Sequence, residues 1–365
     1  MEKHVIFLGA GASHSSGYPL ADKLRERMGS WNAVRQNLPH DGNVNPDDEK
    51  RLQDFGDDFA KVITLFREGG FGSVDEFCKM AATGYAKKTA VSLKHLMRIC
   101  LCCLHNPEND YLKSDYYPFV QKLFNPDSPG LRGDVTVMSF NYDPYLEFIL
   151  HRAYLQRQAV CNNRSGIGDQ DNAIQGGFLT PETNTLEKFE GFVLIKLHGT
   201  VAYPTPTISG RINHQHFFET KSFSGVRLAG HLIHALRVSH SIPTFFPWEI
   251  LNEEGSLKPE PKDAQGEEKM LKNLCIRTWI RAQKEVQQAT KVSFVGLSMH
   301  PYLSPGFTFL FKNKTNPIEV VVANEAHKDF RALYEVSEVH SATPAGKVFG
   351  ILKSVLEHNL SIKRR

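Results

Sequence analysis

Short apolar runs, each ended by glycine, asparagine or histidine, recur along the chain and predict buried strands. These runs occupy residues 5–8, 135–140, 192–197, 292–296 and 318–323. Continuous apolar runs rich in β-branched residues are typical of parallel strands, because helices cover both faces of a parallel sheet. Helical patterns lie between the runs. The sequence therefore predicts an α/β fold with a Rossmann-like, doubly wound parallel sheet.

The spacing of the predicted strands is uneven. Residues 9–134 show hardly any strand pattern, and helices are predicted there at residues 57–67, 73–83, 90–104 and 116–124. We therefore expect a helical insertion after the first βα unit. The expected organisation is a single domain over residues 1–365, with a core at 1–35 and 130–335, the insertion at 45–128, and a C-terminal helix with a basic tail at 336–365.

Composition and charge exclude several classes of protein. Of the 365 residues, 41% are hydrophobic and 23% charged, which is typical of a folded globular protein. The formal net charge of +3 gives no reason to expect direct nucleic-acid binding, and the basic end is interpreted as a solvated tail. No apolar run reaches the ~20 residues of a membrane helix, and no signal-peptide pattern is present. We expect a cytoplasmic protein without membrane contact.

The six cysteines form no paired Cys-x-x-Cys elements, so a zinc ribbon is not expected. Cys100, Cys102 and Cys103 fall in one apolar helical stretch, where free cysteines behave as small hydrophobic residues. We therefore expect neither a metal site nor disulfide bonds.

The first predicted strand runs into a glycine-rich turn, Gly9-Ala10-Gly11-Ala12-Ser13. Glycines allow positive φ and let a pyrophosphate approach the amides at a helix start. An ordinary tight turn between strand and helix is the alternative. No Gly-Lys-Ser/Thr of a P-loop follows. A standard dehydrogenase is disfavoured as well, because His14 replaces the third glycine of its fingerprint and residues 29–36 form no second strand ending in an acid.

Polar and small residues also follow the later predicted strands, at the edge where open α/β sheets bind ligands. Asp143 fits the N-cap of a helix with Pro144 at its first position, so helix capping and ligand contact both stay open. For His198, the alternative is a buried structural histidine. The candidate site residues at these strand ends are Asn141, Asp143, His198, Gly296, Ser298 and Asn324.

Four motifs, in this order and on these strand ends, resemble the sirtuin-like NAD+ hydrolase domains of bacterial antiphage defence systems. They are Gly-Ala-Gly-Ala-Ser at 9–13, Asn-Tyr-Asp at 141–143, His-Gly-Thr at 198–200 and Phe-Val-Gly-Leu-Ser at 294–298. The resemblance covers residues 5–335. The chain departs from protein-deacylating sirtuins, because it lacks their Pro-Asp-Phe-Arg motif and four-cysteine zinc module and has Phe140 in place of their glutamine. His300 stands near a position where the hydrolases often have an acid.

The resemblance implies roles for the candidate residues. The turn at residues 9–13 would hold the pyrophosphate of NAD+, Asn141 and Asp143 would face the nicotinamide ribose, and His198 would be the catalytic base. Gly296 and Ser298 would line the nucleotide, with Asn324 near the adenine ribose.

The activity that the resemblance implies is that of an NAD+ glycohydrolase. It would cleave NAD+ to ADP-ribose and nicotinamide without a metal, as the toxic effector of an abortive-infection system. The alternatives are a sirtuin-type ADP-ribosyltransferase or deacylase, and a non-catalytic subunit that senses NAD or ADP-ribose. Relatives by resemblance work as oligomers, some with a HerA-type ATPase or another sensor protein. We therefore expect a homo-oligomer or a complex with a separately encoded partner.

Overall fold

The computed structural model describes residues 2–20, 23–24, 64, 68, 74–83, 94, 97, 100–101, 112, 114, 116–126, 131–143, 145–146, 149–150, 153, 156–157, 193–199, 246–259, 266–297, 301–314, 319–323 and 339–340. Within them the strands are β1 (His4–Leu8), β2 (Val135–Ser139), β3 (Val193–Lys196), β4 (Lys291–Val295), β5 (Glu319–Ala323) and β6 (Val339–His340). The α-helices whose bounds both lie within the described residues are α1 (Val74–Thr83), α2 (Tyr116–Lys122), α3 (Pro247–Ile250), α4 (Gly266–Gln288) and α5 (Ser304–Phe311). In the described part of the chain, 3-10 helices also occupy Ala10–Ser16 and Pro301–Leu303.

The strands form one sheet in the spatial order β3-β2-β1-β4-β5-β6. Every neighbouring pair is parallel except β5 and β6. Strands β2 and β3 lie on one side of β1, and strands β4, β5 and β6 lie on the other side. The strand order therefore reverses between β1 and β4. Leu8 pairs with both Ser139 and Val295, which brings the carboxyl ends of β1, β2 and β4 level. The predicted α/β fold on a parallel sheet is confirmed.

The five strands predicted from apolar runs are all present, and their ends differ from the prediction by one residue at most. Of the range 336–365, expected to hold a C-terminal helix with a basic tail, only residues 339–340 are described, and they are not helical. Val339–His340 instead forms β6, which pairs antiparallel with β5 and supplies hydrogen-bond partners to that edge. A two-residue strand is too short to give a hydrophobic period, so the sequence pattern could not indicate it.

Between β1 and β2 the chain contains α1 and α2, within the stretches predicted as helices at 73–83 and 116–124. Lys94, Met97, Cys100 and Leu101 are also helical, as predicted for 90–104. We call residues 64–124 the β1–β2 segment. Asp75 and Glu76 lie in the first turn of α1, where negative side chains interact favourably with the helix dipole.

The core lies between the central strands and helices α4 and α5. Phe7 on β1 stacks on Phe294 of β4, with ring centroids 5.1 Å apart. Trp279 of α4 is fully buried, and a Cβ at Gly306 of α5 would lie 2.7 Å from its ring, so glycine is required there for the helices to pack. The Trp279 indole N–H donates to the carbonyl of Leu197 at 2.9 Å. This bond fixes the backbone directly before His198.

Three further observations concern the described residues only. Cys78, Cys100 and Cys275 are buried and carry free thiols. No helix in this part of the chain has both the length and the apolar character needed to cross a bilayer. Nor do three or more histidine, cysteine, aspartate or glutamate side chains come together here as a metal site.

Candidate functional site

The glycine-rich turn after β1 passes directly into the 3-10 helix Ala10–Ser16. Gly9 is extended with φ of −106°, and Gly17, at φ of 90°, ends the helix in the left-handed region. Among the described residues, positive φ occurs at Gly17, Gly199, Gly255, Gly296 and Asn313, and at neither Gly9 nor Gly11. The expectation that the turn glycines are needed for positive φ is therefore wrong.

Close packing against the loop after β4 explains these glycines instead. A Cβ at Gly9 would lie 2.5 Å from the carbonyl oxygen of Gly296, and one at Gly11 would lie 2.8 Å from the Cα of Gly296. Gly296 itself has φ of 57°, and a Cβ there would collide with the amide nitrogen of Ala12. The two loops therefore form one unit that tolerates no side chain at their contact.

Backbone hydrogen bonds hold this two-loop unit together. The amide of Gly9 donates to Val295 at 2.9 Å, that of Gly11 to Gly296 at 2.9 Å, and that of Ala12 to Gly9 at 3.0 Å. These three amides are used within the protein. Ala10 and Gly11 remain partly exposed, so they form the edge of the turn that a ligand can reach.

Asn141, two residues beyond β2, is linked to the turn. Its Nδ2 donates to Ser13 Oγ at 3.0 Å, and Ser13 Oγ also lies 3.0 Å from the hydroxyl of Tyr116 on α2. Ser13 is 1% exposed and Asn141 5% exposed. Three segments that are distant in the chain therefore meet in one buried polar cluster at the carboxyl ends of β1 and β2.

Asp143 caps a helix, which is one of the two roles predicted for it. Its Oδ1 accepts the amide of Tyr145 at 3.1 Å, and Tyr145 and Leu146 are helical. Burial raises the pKa of Asp143, whereas the charge of Lys196 and hydrogen bonds from Tyr145 and Ser13 oppose that rise. Lys196 Nζ donates to the Asp143 carbonyl at 2.7 Å, so the end of β3 also holds this segment.

His198 lies two residues beyond the paired residues Ser139 and Lys196, and therefore beside Asn141 in the register of β2 and β3. The imidazole is 3% exposed and lies among aromatic rings. The ring of Phe140 meets it edge-on at 5.1 Å, that of Tyr142 lies over it at 5.2 Å, and that of Phe246 is 6.4 Å away. Among the described residues, neither ring nitrogen of His198 has a hydrogen-bond partner.

Burial lowers the pKa of His198 to about 3, and the positive charge of Lys196 acts in the same direction, whereas the polar backbone of Phe140 opposes this shift. The imidazole is therefore neutral at physiological pH. A buried polar group without a partner costs free energy, and in native proteins such groups often mark a place where a ligand or water binds.

Tyr142, between Asn141 and Asp143, connects this cluster to the β1–β2 segment. Its hydroxyl donates to Asp75 Oδ1 at 3.2 Å. Burial raises the pKa of Asp75 to about 7, against the effect of the Tyr142 hydrogen bond. Nearby, Lys94 bonds both carboxylate oxygens of Glu249, at 2.7 and 2.8 Å, and lies over the Phe246 ring at 4.9 Å.

The structure thus brings together most of the residues predicted for the site. These are the turn at residues 9–13, with Asn141, Asp143, His198 and Gly296. Ser298 and Asn324 lie outside the described residues, as does His300. Their predicted roles stay predictions.

Sequence reasoning missed three contributors. Lys196 could have been found, because it is the one cationic residue in an otherwise apolar strand run at 192–197. Asp75 and Tyr116 lie in stretches that the sequence predicts only as helices, at 73–83 and 116–124. Both come from the β1–β2 segment, and no local pattern indicates which distant strand end they meet.

A scan of the chain against models of known protein families finds no match, and a search of curated proteins finds none. The fold and site by themselves define an α/β protein with polar side chains gathered at the carboxyl ends of its central strands. An amide, a carboxylate and a neutral imidazole meet there beside a glycine-rich turn. This set can hold sugar hydroxyls and accept a proton, and aromatic rings surround the imidazole.

Proposed function

We propose that the chain is an NAD+ glycohydrolase that cleaves NAD+ to ADP-ribose and nicotinamide. The observation that carries the proposal is the hydrogen bond from Asn141 to Ser13, beside the buried His198 whose ring nitrogens have no partner among the described residues. The strand order supports it too. Doubly wound sheets with the order 3-2-1-4-5-6 bind dinucleotides in the crevice where the order reverses, and the glycine-rich turn lies at that reversal.

The reaction breaks the bond between C1′ of the nicotinamide ribose and the pyridinium nitrogen. The bonding electron pair moves to the nitrogen, so nicotinamide leaves as a neutral molecule. A water oxygen then bonds to C1′, which has oxocarbenium character, and the water gives up a proton. The chain must orient the ribose, hold the water and accept that proton.

Each of these tasks has a candidate residue. Asn141 offers an amide that can hold a ribose hydroxyl and a water at once. Neutral His198 accepts the proton and passes it to solvent. Its low pKa makes it a weak base in the resting protein, but water bonded to a cationic carbon is strongly acidic and needs only a weak base. The phosphates of bound NAD+ would also raise the pKa of His198.

The partly exposed edge at Ala10 and Gly11 is the place proposed for the pyrophosphate, because backbone can approach closely there. Asp143 is proposed to contact the nicotinamide ribose in addition to capping its helix. For Gly296 the proposed role is indirect, since its backbone packs against the turn and shapes it.

Regulation follows from the burial of the reacting groups. Asn141 and His198 are 5% and 3% exposed, so NAD+ cannot reach them unless surrounding segments move. A continuously open site would also deplete the NAD+ of its own cell. We therefore propose that assembly opens the site, either as a homo-oligomer or with a separately encoded partner such as a HerA-type ATPase, within a defence system.

Product analysis tests the class of reaction. The protein is incubated with NAD+, alone and with the proteins encoded beside it in its genome, and products are separated by chromatography. The proposal predicts nicotinamide and ADP-ribose in equal amounts without any acceptor. Nicotinamide release that depends on an added peptide or protein would indicate a transferase or deacylase. Tight NAD+ binding without turnover under both conditions would indicate a sensor, and either result overturns the proposal.

A further inference from the structure

Asp75 is a buried acid of the β1–β2 segment that the proposed chemistry does not use. It lies in the first turn of α1 and is 5% exposed. A carboxylate at this place needs no burial to interact with the helix dipole, and Glu76 beside it does so from an exposed position. The burial of Asp75 therefore calls for a separate explanation.

The hydroxyl of Tyr142 is the contact that explains it. Tyr142 donates to Asp75 Oδ1 at 3.2 Å, and the face of the same ring lies 5.2 Å from the imidazole of His198, tilted by 31°. Tyr142 also separates Asn141 from Asp143 in the chain. The hydrogen bond at the end of the Tyr142 side chain thus restrains the backbone between Asn141 and Asp143. It also fixes the aromatic ring that packs against His198.

Other charged groups face Asp75 from α3 and from the β1–β2 segment. Glu249 raises its pKa and Lys94 lowers it, and these two side chains are paired with each other. Cys78, one turn further along α1, and Tyr302 also lie near the Asp75–Tyr142 pair. Burial is the largest cause of the raised pKa of about 7, so Asp75 changes charge near neutral pH.

We propose that Asp75 is a positioning residue of the NAD+ site, whose carboxylate holds Tyr142 and through it the Asn141–Asp143 segment and the His198 ring. The inference rests on the proposed NAD+ hydrolysis. Ionised Asp75 is the better acceptor for the Tyr142 hydroxyl, and its negative charge favours the positive charge that develops at the ribose and then on His198. The β1–β2 segment thereby takes part in the chemistry without touching the substrate.

Three variants test the positioning role by its effect on turnover. Asp75→Asn removes the charge with little change in shape, Tyr142→Phe removes the connecting hydroxyl, and Glu76→Gln is the matched control on the same helical turn. Nicotinamide release is followed from roughly pH 5.5 to 9, and folding is checked by thermal unfolding. Wild type and Glu76→Gln are expected to gain activity through about pH 7. Asp75→Asn and Tyr142→Phe are expected to lose this rise.

We expect kcat of Asp75→Asn to fall at least about tenfold at alkaline pH, with KM nearly unchanged, because the residue does not contact NAD+. A folded Asp75→Asn protein that keeps the wild-type pH profile and kcat overturns the inference. An equal loss in Glu76→Gln also overturns it, since the effect would then come from the charge of the helix end.

A second readout does not depend on activity. The Cε1–H signal of His198 is followed by NMR with labelled histidine, and it is assigned by its absence in His198→Gln. In wild type we expect the signal to shift with a midpoint near the Asp75 pKa of about 7, and we expect no such shift in Asp75→Asn. If NAD+ stays intact but the shift is present, the proposed hydrolysis fails and the Asp75–Tyr142–His198 coupling stands. If NAD+ is cleaved and no shift occurs, the positioning role fails alone.

Discussion

The side chain of Asn141 donates a hydrogen bond to Ser13 Oγ at 3.0 Å, although the two residues are 128 positions apart in the chain. The bond joins the glycine-rich turn after β1 to the end of β2. Both side chains are buried, so neither satisfies its polar atoms with bulk water. The parallel register of β1 and β2 makes the contact possible, because Leu8 and Ser139 end their strands side by side.

Loss of the Ser13 hydroxyl should destabilise the protein. In Ser13→Ala the amide of Asn141 loses its buried partner and the hydroxyl of Tyr116 loses one contact, and a buried group left unsatisfied costs about 1–3 kcal/mol. The control is Ser16→Ala, whose hydroxyl makes a longer, part-buried bond of 3.3 Å to Ser114. In urea unfolding, the free energy of unfolding of Ser13→Ala should be clearly lower than that of Ser16→Ala. Equal stabilities would mean that the buried cluster contributes nothing specific.

The contact between the two loops predicts a sharp difference between two glycines. Gly17, at φ of 90°, has no atom within 4 Å of a Cβ position, so Gly17→Ala should cost only the left-handed strain of roughly 1–2 kcal/mol. Gly296→Ala, at φ of 57°, adds a collision with Gly11 and Ala12, which we expect to cost a further 1–3 kcal/mol or more, roughly. Thermal unfolding of the two variants measures the difference. A melting temperature for Gly296→Ala as high as that of Gly17→Ala contradicts the packing described.

Asp75 should make the protein less stable as pH rises. Its pKa is about 7 in the folded protein against 3.8 for the model value, so between these values the folded state holds a proton that the unfolded state has lost. This contribution to stability is full below about pH 4 and falls until pH reaches about 7, by an amount on the order of 2–4 kcal/mol. Asp75→Asn should therefore gain in melting temperature relative to wild type between pH 5 and pH 8, roughly. A constant difference between the two proteins would rule out the buried titration.

His198 should have the opposite effect. Its pKa is lowered to about 3 in the folded protein from the model value of 6.5, so the unfolded state binds the extra proton between these values. The stability contribution is present above about pH 6.5 and is lost as pH falls, by about 1.4 kcal/mol per pH unit at most. His198→Gln should flatten this part of the stability profile between roughly pH 6.5 and 4.5. Unchanged acid sensitivity in that variant would show that the imidazole is solvated.

Much of the fold could be predicted because buried parallel strands leave continuous apolar runs. The runs at β1 to β5 are of this kind, and the glycine, asparagine or histidine after most of them sets the strand end. β6 could not be predicted in this way, because a strand of two residues is too short to show a hydrophobic pattern.

Part of the site was equally accessible to prediction. Asn141 and His198 stand at strand ends, and a parallel sheet must bring those ends to one edge. The contacts from Asp75, Tyr116 and Lys94 could not be predicted, because they depend on how the β1–β2 segment packs across the sheet. The sequence also cannot show why Gly9 and Gly11 are glycines, because a position with positive φ and a position packed against another loop both require glycine.

The rate of nicotinamide release by wild type and by Asn141→Ala tests whether the ends of β1 and β2 hold a hydrolytic site. Both proteins are assayed at the same concentration of folded protein, under the condition in which wild type is most active. Asn125→Ala is the control, because this variant also loses a hydrogen bond from an asparagine side chain. That bond goes to the carbonyl of Leu131, away from the strand ends. We expect a loss of at least about a hundredfold in Asn141→Ala and none in Asn125→Ala. Equal release by wild type and Asn141→Ala, or intact NAD+ with both, would contradict a hydrolytic site at the ends of β1 and β2.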